Sequence, residues 1–102
     1  MIAYEITING RKMTTAGIES GVISCIANWV SLRKPARIRK RQWDAGFRVG
    51  GLRTGANGKD EFLAWVEHRV KVGDKITIQL VDVVSPDPPK KIRRRVQRKR
   101  KT

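Results

Sequence analysis

Residues able to do covalent or acid-base chemistry are scarce. Cys25 and His68 are the only cysteine and histidine in 102 residues; a cysteine nucleophile needs its base beside it, and a zinc site needs three or four ligands. Cys25 lies in an apolar run, where the ordinary role of a free cysteine is that of a small buried hydrophobe. The acid pair Asp60-Glu61 stands at a turn, where solvated carboxylates are expected rather than a working acid and base. Gly58-Lys59 superficially matches a phosphate loop, yet Arg53 occupies the first glycine position and Asp60 stands where the magnesium-binding Ser or Thr belongs. The expectation is a protein that is not an enzyme and uses no metal or cofactor.

Positive charge, by contrast, is abundant and concentrated. The chain carries a net charge of +14, with 23 Lys+Arg against nine Asp+Glu. Residues 33–41 hold Arg33, Lys34, Arg37, Arg39, Lys40 and Arg41, followed by Trp43. Residues 90–101 hold Lys90, Lys91, Arg93, Arg94, Arg95, Arg98, Lys99, Arg100 and Lys101. Neither segment contains an acid, and they leave eight basic residues against nine acidic ones elsewhere, so a nearly neutral body carries two strongly basic segments. Such charge fits a polyanionic partner: each Lys or Arg that meets a phosphate releases counterions, giving affinity with little sequence preference and steep dependence on salt. Arg41-Gln42-Trp43 can add stacking on unpaired bases. An acidic protein surface is the competing partner. An anionic membrane surface is the weaker third, because no acylation motif or amphipathic helix accompanies the basic residues. If both segments grip one polyanion, residues 33–41 and the exit of the chain at Ser85 should lie on the same side of the domain.

The elements that must position these residues read as β-structure. Ile2, Tyr4, Ile6 and Ile8 alternate with Ala3, Glu5 and Thr7, and Asn9-Gly10 supplies the residues of a tight hairpin turn before a returning strand from Arg11 to Thr15. Residues 22–32 fit helical spacing as well, but their β-branched and aromatic content favours a strand. A strand around Phe47 to Leu52 contains Gly50-Gly51, the mark of a bulge or of another backbone coming close. The turn-rich residues 54–60 lead to a strand in which Phe62, Ala64 and Val66 oppose Leu63 and Trp65. After the Gly73-Asp74 turn, Ile76, Ile78 and Leu80 alternate with Lys75, Thr77 and Gln79. Trp29 and Trp65 are expected in the core. Ser85-Pro86-Asp87-Pro88-Pro89 reads as a linker, with a self-repelling tail behind it in which Ile92 and Val96 have the spacing to form a helix on a partner.

The run Val49-Gly50-Gly51-Leu52, then Trp65, then Val72-Gly73-Asp74-Lys75-Ile76-Thr77-Ile78 ahead of a Pro-containing C-terminus, resembles a group of small, uncharacterised β-rich bacterial proteins. The resemblance covers residues 2–89 and rests on turn and strand motifs. It implies a β-rich fold and no activity.

The sequence is therefore expected to form an all-β domain, a small antiparallel sandwich or barrel of about six strands, over residues 1–85, with a flexible basic tail over 86–102. One cysteine excludes an internal disulfide, and neither a signal peptide nor an apolar run of about 18 residues is present, so a soluble cytoplasmic protein in a reducing compartment is expected. The expected role is nucleic-acid binding by tail and loop, with self-association through an open sheet edge; the alternative is an inhibitor or adaptor that docks on an acidic protein.

Overall fold

The computed structural model describes residues 1–30, 45–55 and 58–94. Arg33, Lys34, Arg37, Arg39, Lys40, Arg41 and Trp43, and at the other end Arg95, Arg98, Lys99, Arg100 and Lys101, lie outside the described residues. The described chain forms seven strands: β1 (Ile2–Ile8), β2 (Arg11–Ala16), β3 (Val22–Trp29), β4 (Ala45–Thr54), β5 (Asp60–Arg69), β6 (Ile76–Asp82) and β7 (Lys91–Arg94). They make a three-stranded sheet of order β2-β1-β6 and a four-stranded sheet of order β3-β4-β5-β7, with every strand pair antiparallel. No helix occurs among the described residues.

The first hairpin turns where the sequence placed it. Asn9 and Gly10 have φ of 53° and 78°, both left-handed, as a two-residue turn of the favoured hand requires. Asn9 does more than turn the chain. Its Oδ1 accepts the Lys75 backbone N–H at 2.8 Å and its Nδ2 donates to Asp74 Oδ1 at 2.9 Å, tying the hairpin tip to the turn that precedes β6. β6 then pairs along β1, setting Ile8 opposite Ile76, Ile6 opposite Ile78 and Tyr4 opposite Leu80.

In the four-stranded sheet the ladder slips between Val49 and Gly50, which pair with Val66 and Ala64, leaving Trp65 as the extra residue of a bulge on β5. Two consecutive side chains, Trp65 and Val66, consequently enter the core. This corrects the expected alternation, in which Val66 faced away from Trp65. Gly51 sits where the backbones crowd: a Cβ there would stand 2.7 Å from the Val22 carbonyl oxygen and 3.2 Å from the Trp65 ring.

The sheets meet through Ile6, Ile8 and Ala16 on one side and Phe47, Val49, Leu63, Trp65 and Val66 on the other. The cover is incomplete. Ile78 and Leu80 share the side of their sheet that carries Ile6, yet Leu80 is 62% exposed. Trp29, expected in the core, is 78% exposed. It ends β3, an edge strand, beyond Ile23 and Cys25, the residues of that strand that pack on the core.

The largest departure lies after Ser85. The expected linker and the first part of the expected tail are built into the fold as a strap across one flank. Asp87 pairs alongside β2: its N–H donates to the Thr15 carbonyl at 2.8 Å, and its Oδ2 accepts the Thr15 N–H at 2.8 Å and the Thr14 hydroxyl at 3.3 Å. Its own carbonyl accepts the indole N–H of Trp65 at 2.9 Å, so one residue joins both sheets. The Lys90 N–H then donates to the Ala64 carbonyl, and β7 adds to the edge of β5. Proline and like charge disfavour a strand in isolation, but here unmet backbone donors and acceptors on two strand edges, with one buried indole N–H, supply the pairing energy.

Candidate nucleic-acid interface

The four-stranded sheet buries one face against its partner and leaves the other bare. Cross-strand register arranges the bare face in rows. Val22, Leu52, Phe62 and Arg93 are successive neighbours across all four strands. Ser24, Gly50, Ala64 and Lys91 form the next row, and Ile26, Arg48 and Glu67 the one after. The middle row has small side chains at three of its four positions, so the bulkier rows beside it border a shallow trough of about 780 Å³. Phe62 is 44% exposed within it, and Val22, Ile26 and Leu52 are exposed as well. An aromatic ring with open faces between aliphatic neighbours is a stacking platform.

Charge on this face is predominantly positive. Arg48 and Arg93 are exposed and form no ion pair among the described residues. Lys91 reaches Glu67 at 3.9 Å, both side chains well exposed, a contact too long and too wet to neutralise it. No family model, curated protein or solved structure matches the chain. The resemblance to small β-rich bacterial proteins therefore rests on residues 49–52, 65 and 72–78 alone, and any role must be argued from the geometry of the chain.

Four of the basic residues expected in a free tail belong to the ordered body, and they differ. Lys91 and Arg93 point to the bare face, whereas Ile92 and Arg94 take the other side of β7. Arg94 Nε donates to Glu61 Oε2 at 3.2 Å, while Arg53 Nε donates to Oε1 of the same carboxylate at 3.0 Å. The Arg53 hydrogen bond, then that of Arg94, holds the Glu61 carboxyl below the usual glutamate range against the opposing effect of desolvation. Arg94 thus clasps β7 to β5 through its Nε. Lys90 is exposed at the entry to β7. As Ile92 pairs opposite Leu63 in a strand, the helical spacing of Ile92 and Val96 is not used here.

The two basic segments do not start from one place. The 31–44 segment leaves after Val30 and returns at Ala45, beside the Arg69 end of β5, whereas the chain after Arg94 departs opposite Glu61. Eight residues of β5 at about 3.3 Å each separate the two points by roughly 26 Å. Ser85 likewise lies beyond the Asp82 end of β6, remote from the Ile76 end that follows Arg69. The anchors of the two segments thus stand at opposite ends of β5, and residues 33–41 themselves, on which the expected common side turns, lie outside the described residues.

The remaining chemistry stays apart. Cys25 on β3 and His68 on β5 have β4 between them, so their backbones are roughly 10 Å apart. Burial pushes the Cys25 thiol up, away from the thiolate that a nucleophile requires. Glu61 at the turn serves the clasp. Sequence reasoning had no route to the bare face: Arg48, Phe62 and Leu52 come together only through a register that the Trp65 bulge on β5 sets. The available signal was that Phe62 and Ala64 alternate with core residues in a strand between two other strands, leaving one face without a partner.

Proposed function

We propose that this is a non-enzymatic nucleic-acid-binding protein that grips phosphates with little sequence preference. The reading rests on one observation, the segregation of fifteen basic residues into two acid-free segments on a body of nearly balanced charge. The placement of Lys91 and Arg93 supports it, since they carry the C-terminal charge onto the sheet face that already holds Arg48, with Glu67 as the acid beside it. The residues after Arg94 (Arg95, Arg98, Lys99, Arg100 and Lys101) act as a tether, and Arg33, Lys34, Arg37, Arg39, Lys40 and Arg41 as a second contact with its own anchor. The open edge of β6 offers a route to self-association.

The test is binding of labelled mixed-sequence DNA and RNA across a salt series. Affinity should fall log-linearly with salt, and truncation after Arg94 should reduce the slope by as much as about 3.5 on single strands, about 0.7 for each of the five removed charges that meets a phosphate. Absence of binding at low salt ends the proposal. The exposed apolar row Val22, Leu52 and Phe62 favours a second reading, docking on an acidic protein. Polyglutamate binding as tight as that of nucleic acid would support it.

A further inference from the structure

Resting on that reading, we infer that the trough on the bare face of the four-stranded sheet is a binding site for single-stranded nucleic acid, with Phe62 as the surface on which an unpaired base stacks and Arg48, Lys91 and Arg93 as its phosphate contacts. The geometry carries the choice of ligand. Phe62 lies in mid-row, flanked by Leu52 on one strand and Arg93 on the next, so a base above the ring has an aliphatic neighbour on one side and a guanidinium on the other. The row beside it is floored by Gly50 and Ala64, whose small side chains leave room for a nucleobase and its sugar. Only an unpaired base can lay its flat face against a ring on the wall of a shallow trough, because in a duplex those faces are already stacked on one another.

Charge complementarity separates this ligand from an apolar partner. A purely hydrophobic occupant would desolvate Arg93, which forms no ion pair among the described residues, and Arg48, whose cross-strand neighbour Glu67 is not bonded to it, at considerable cost. A polynucleotide supplies both a stacking surface and an anion every residue. Continuity with the tail strengthens the assignment: the chain leaves β7 one residue after Arg93, and Arg95, Arg98, Lys99, Arg100 and Lys101 follow, so the most basic stretch of the sequence starts at the rim of the trough. A strand held there has its bases on the sheet and its backbone within reach of the tether.

The experiment compares the full chain with Phe62→Ala, Phe62→Trp and Arg93→Gln, using single-stranded oligodeoxythymidine of about a dozen nucleotides, a duplex of the same length and polyglutamate as probes. The wild-type protein should prefer the single strand. Phe62→Ala should weaken single-strand binding by about 5- to 100-fold and Phe62→Trp should restore it, the range expected for loss of one stacked base. Arg93→Gln should lower the single-strand salt slope by about 0.7, the share of one phosphate contact. Amide shift changes on adding the oligonucleotide should centre on Leu52, Phe62 and Arg93. Steeply salt-dependent binding that ignores Phe62, or that favours the duplex, overturns the trough while leaving phosphate tethering intact. Failure of every nucleic acid to bind removes both, and Phe62-dependent capture of polyglutamate assigns the face to an acidic polypeptide instead.

Discussion

Two aromatic residues three positions apart on β5 live in opposite circumstances. Trp65 is 1% exposed, packed in the core with its indole N–H donated to Asp87, whereas Phe62 is 44% exposed above nothing but its own sheet. The residues around them divide in the same way. On the inner side Leu63 and Val66 are buried and Glu61 is clasped by two arginines, while on the outer side Arg48 and Arg93 form no ion pair among the described residues. The contrast separates two jobs within one strand. Stability is drawn almost wholly from the inner face and its strap, so the outer face is free to hold an arrangement that stability alone would not select.

The strongest way to break this division is to remove the strap. Truncation after Ser85 deletes Asp87 and β7, leaving the Trp65 indole N–H without its acceptor at a cost of about 1–3 kcal/mol and losing the charge-assisted bond to the Thr15 N–H, worth about 1.5–3 kcal/mol. Together with the lost β7 pairing this approaches the about 5 kcal/mol at the low end of domain stability. Cooperative unfolding followed by tryptophan fluorescence should disappear, whereas truncation after Arg94 should leave it unchanged. A cooperative transition in the shorter chain would show that the strap is decoration.

A weaker perturbation addresses the clasp. Because the Glu61 carboxyl is held below its usual range in the folded protein, its contribution is complete above the ordinary glutamate value of about 4.3 and is lost as pH falls through the lower folded value. Acidification below about pH 4 should therefore loosen β7, and Glu61→Gln should reproduce part of the effect at neutral pH. Amide exchange should report it, with loss of protection confined to the β5–β7 pairing and little change at β1.

The smallest effect is expected on the outer face, and it sharpens the comparison by its size. Phe62→Ser should change stability by no more than about 0.5 kcal/mol in urea unfolding, while Leu63→Ala, one residue along, should cost about 2–5 kcal/mol. Similar costs for the two would mean that the outer face is covered in solution.

Much of the sandwich was legible because its signals are local. Asn9-Gly10 names its own turn, the alternation of Ile2 to Ile8 names its own strand, and Gly50-Gly51 marked a place where another backbone comes close, opposite the bulge whose extra residue is Trp65 on β5. The strap was not legible, because a Pro-Asp-Pro-Pro run followed by cations looks like solvated chain until two strand edges and a buried indole are set beside it. Periodicity also failed to say which apolar faces would find cover. Leu80 alternates as cleanly as Ile6, and Trp29 is as large an apolar residue as Trp65, yet both lie beyond the overlap of the sheets. The basic residues were visible in number but not in division of labour: nothing in a run of cations marks Arg94 for Glu61 and Arg93 for the open side.

The position of Asp87 in the chain also sets a timetable. β1 and β2 precede their partners by most of the chain: one of β1's neighbours in the sheet is β6, and the outer edge of β2 receives Asp87 some 70 residues later. At the usual pace of translation, roughly 5–20 residues per second, the earliest strands wait several seconds for the residues that latch them. Until then Trp65 has no acceptor, the edge of β5 is bare, and the apolar faces of two half-joined sheets are open to other nascent chains. The nine cations of residues 90–101, which would help keep such chains apart, emerge only after the latch. Synthesis stalled between residues 82 and 87 would thus produce the most aggregation-prone form of this molecule, with β1 to β6 made and neither Asp87 nor β7 to latch them.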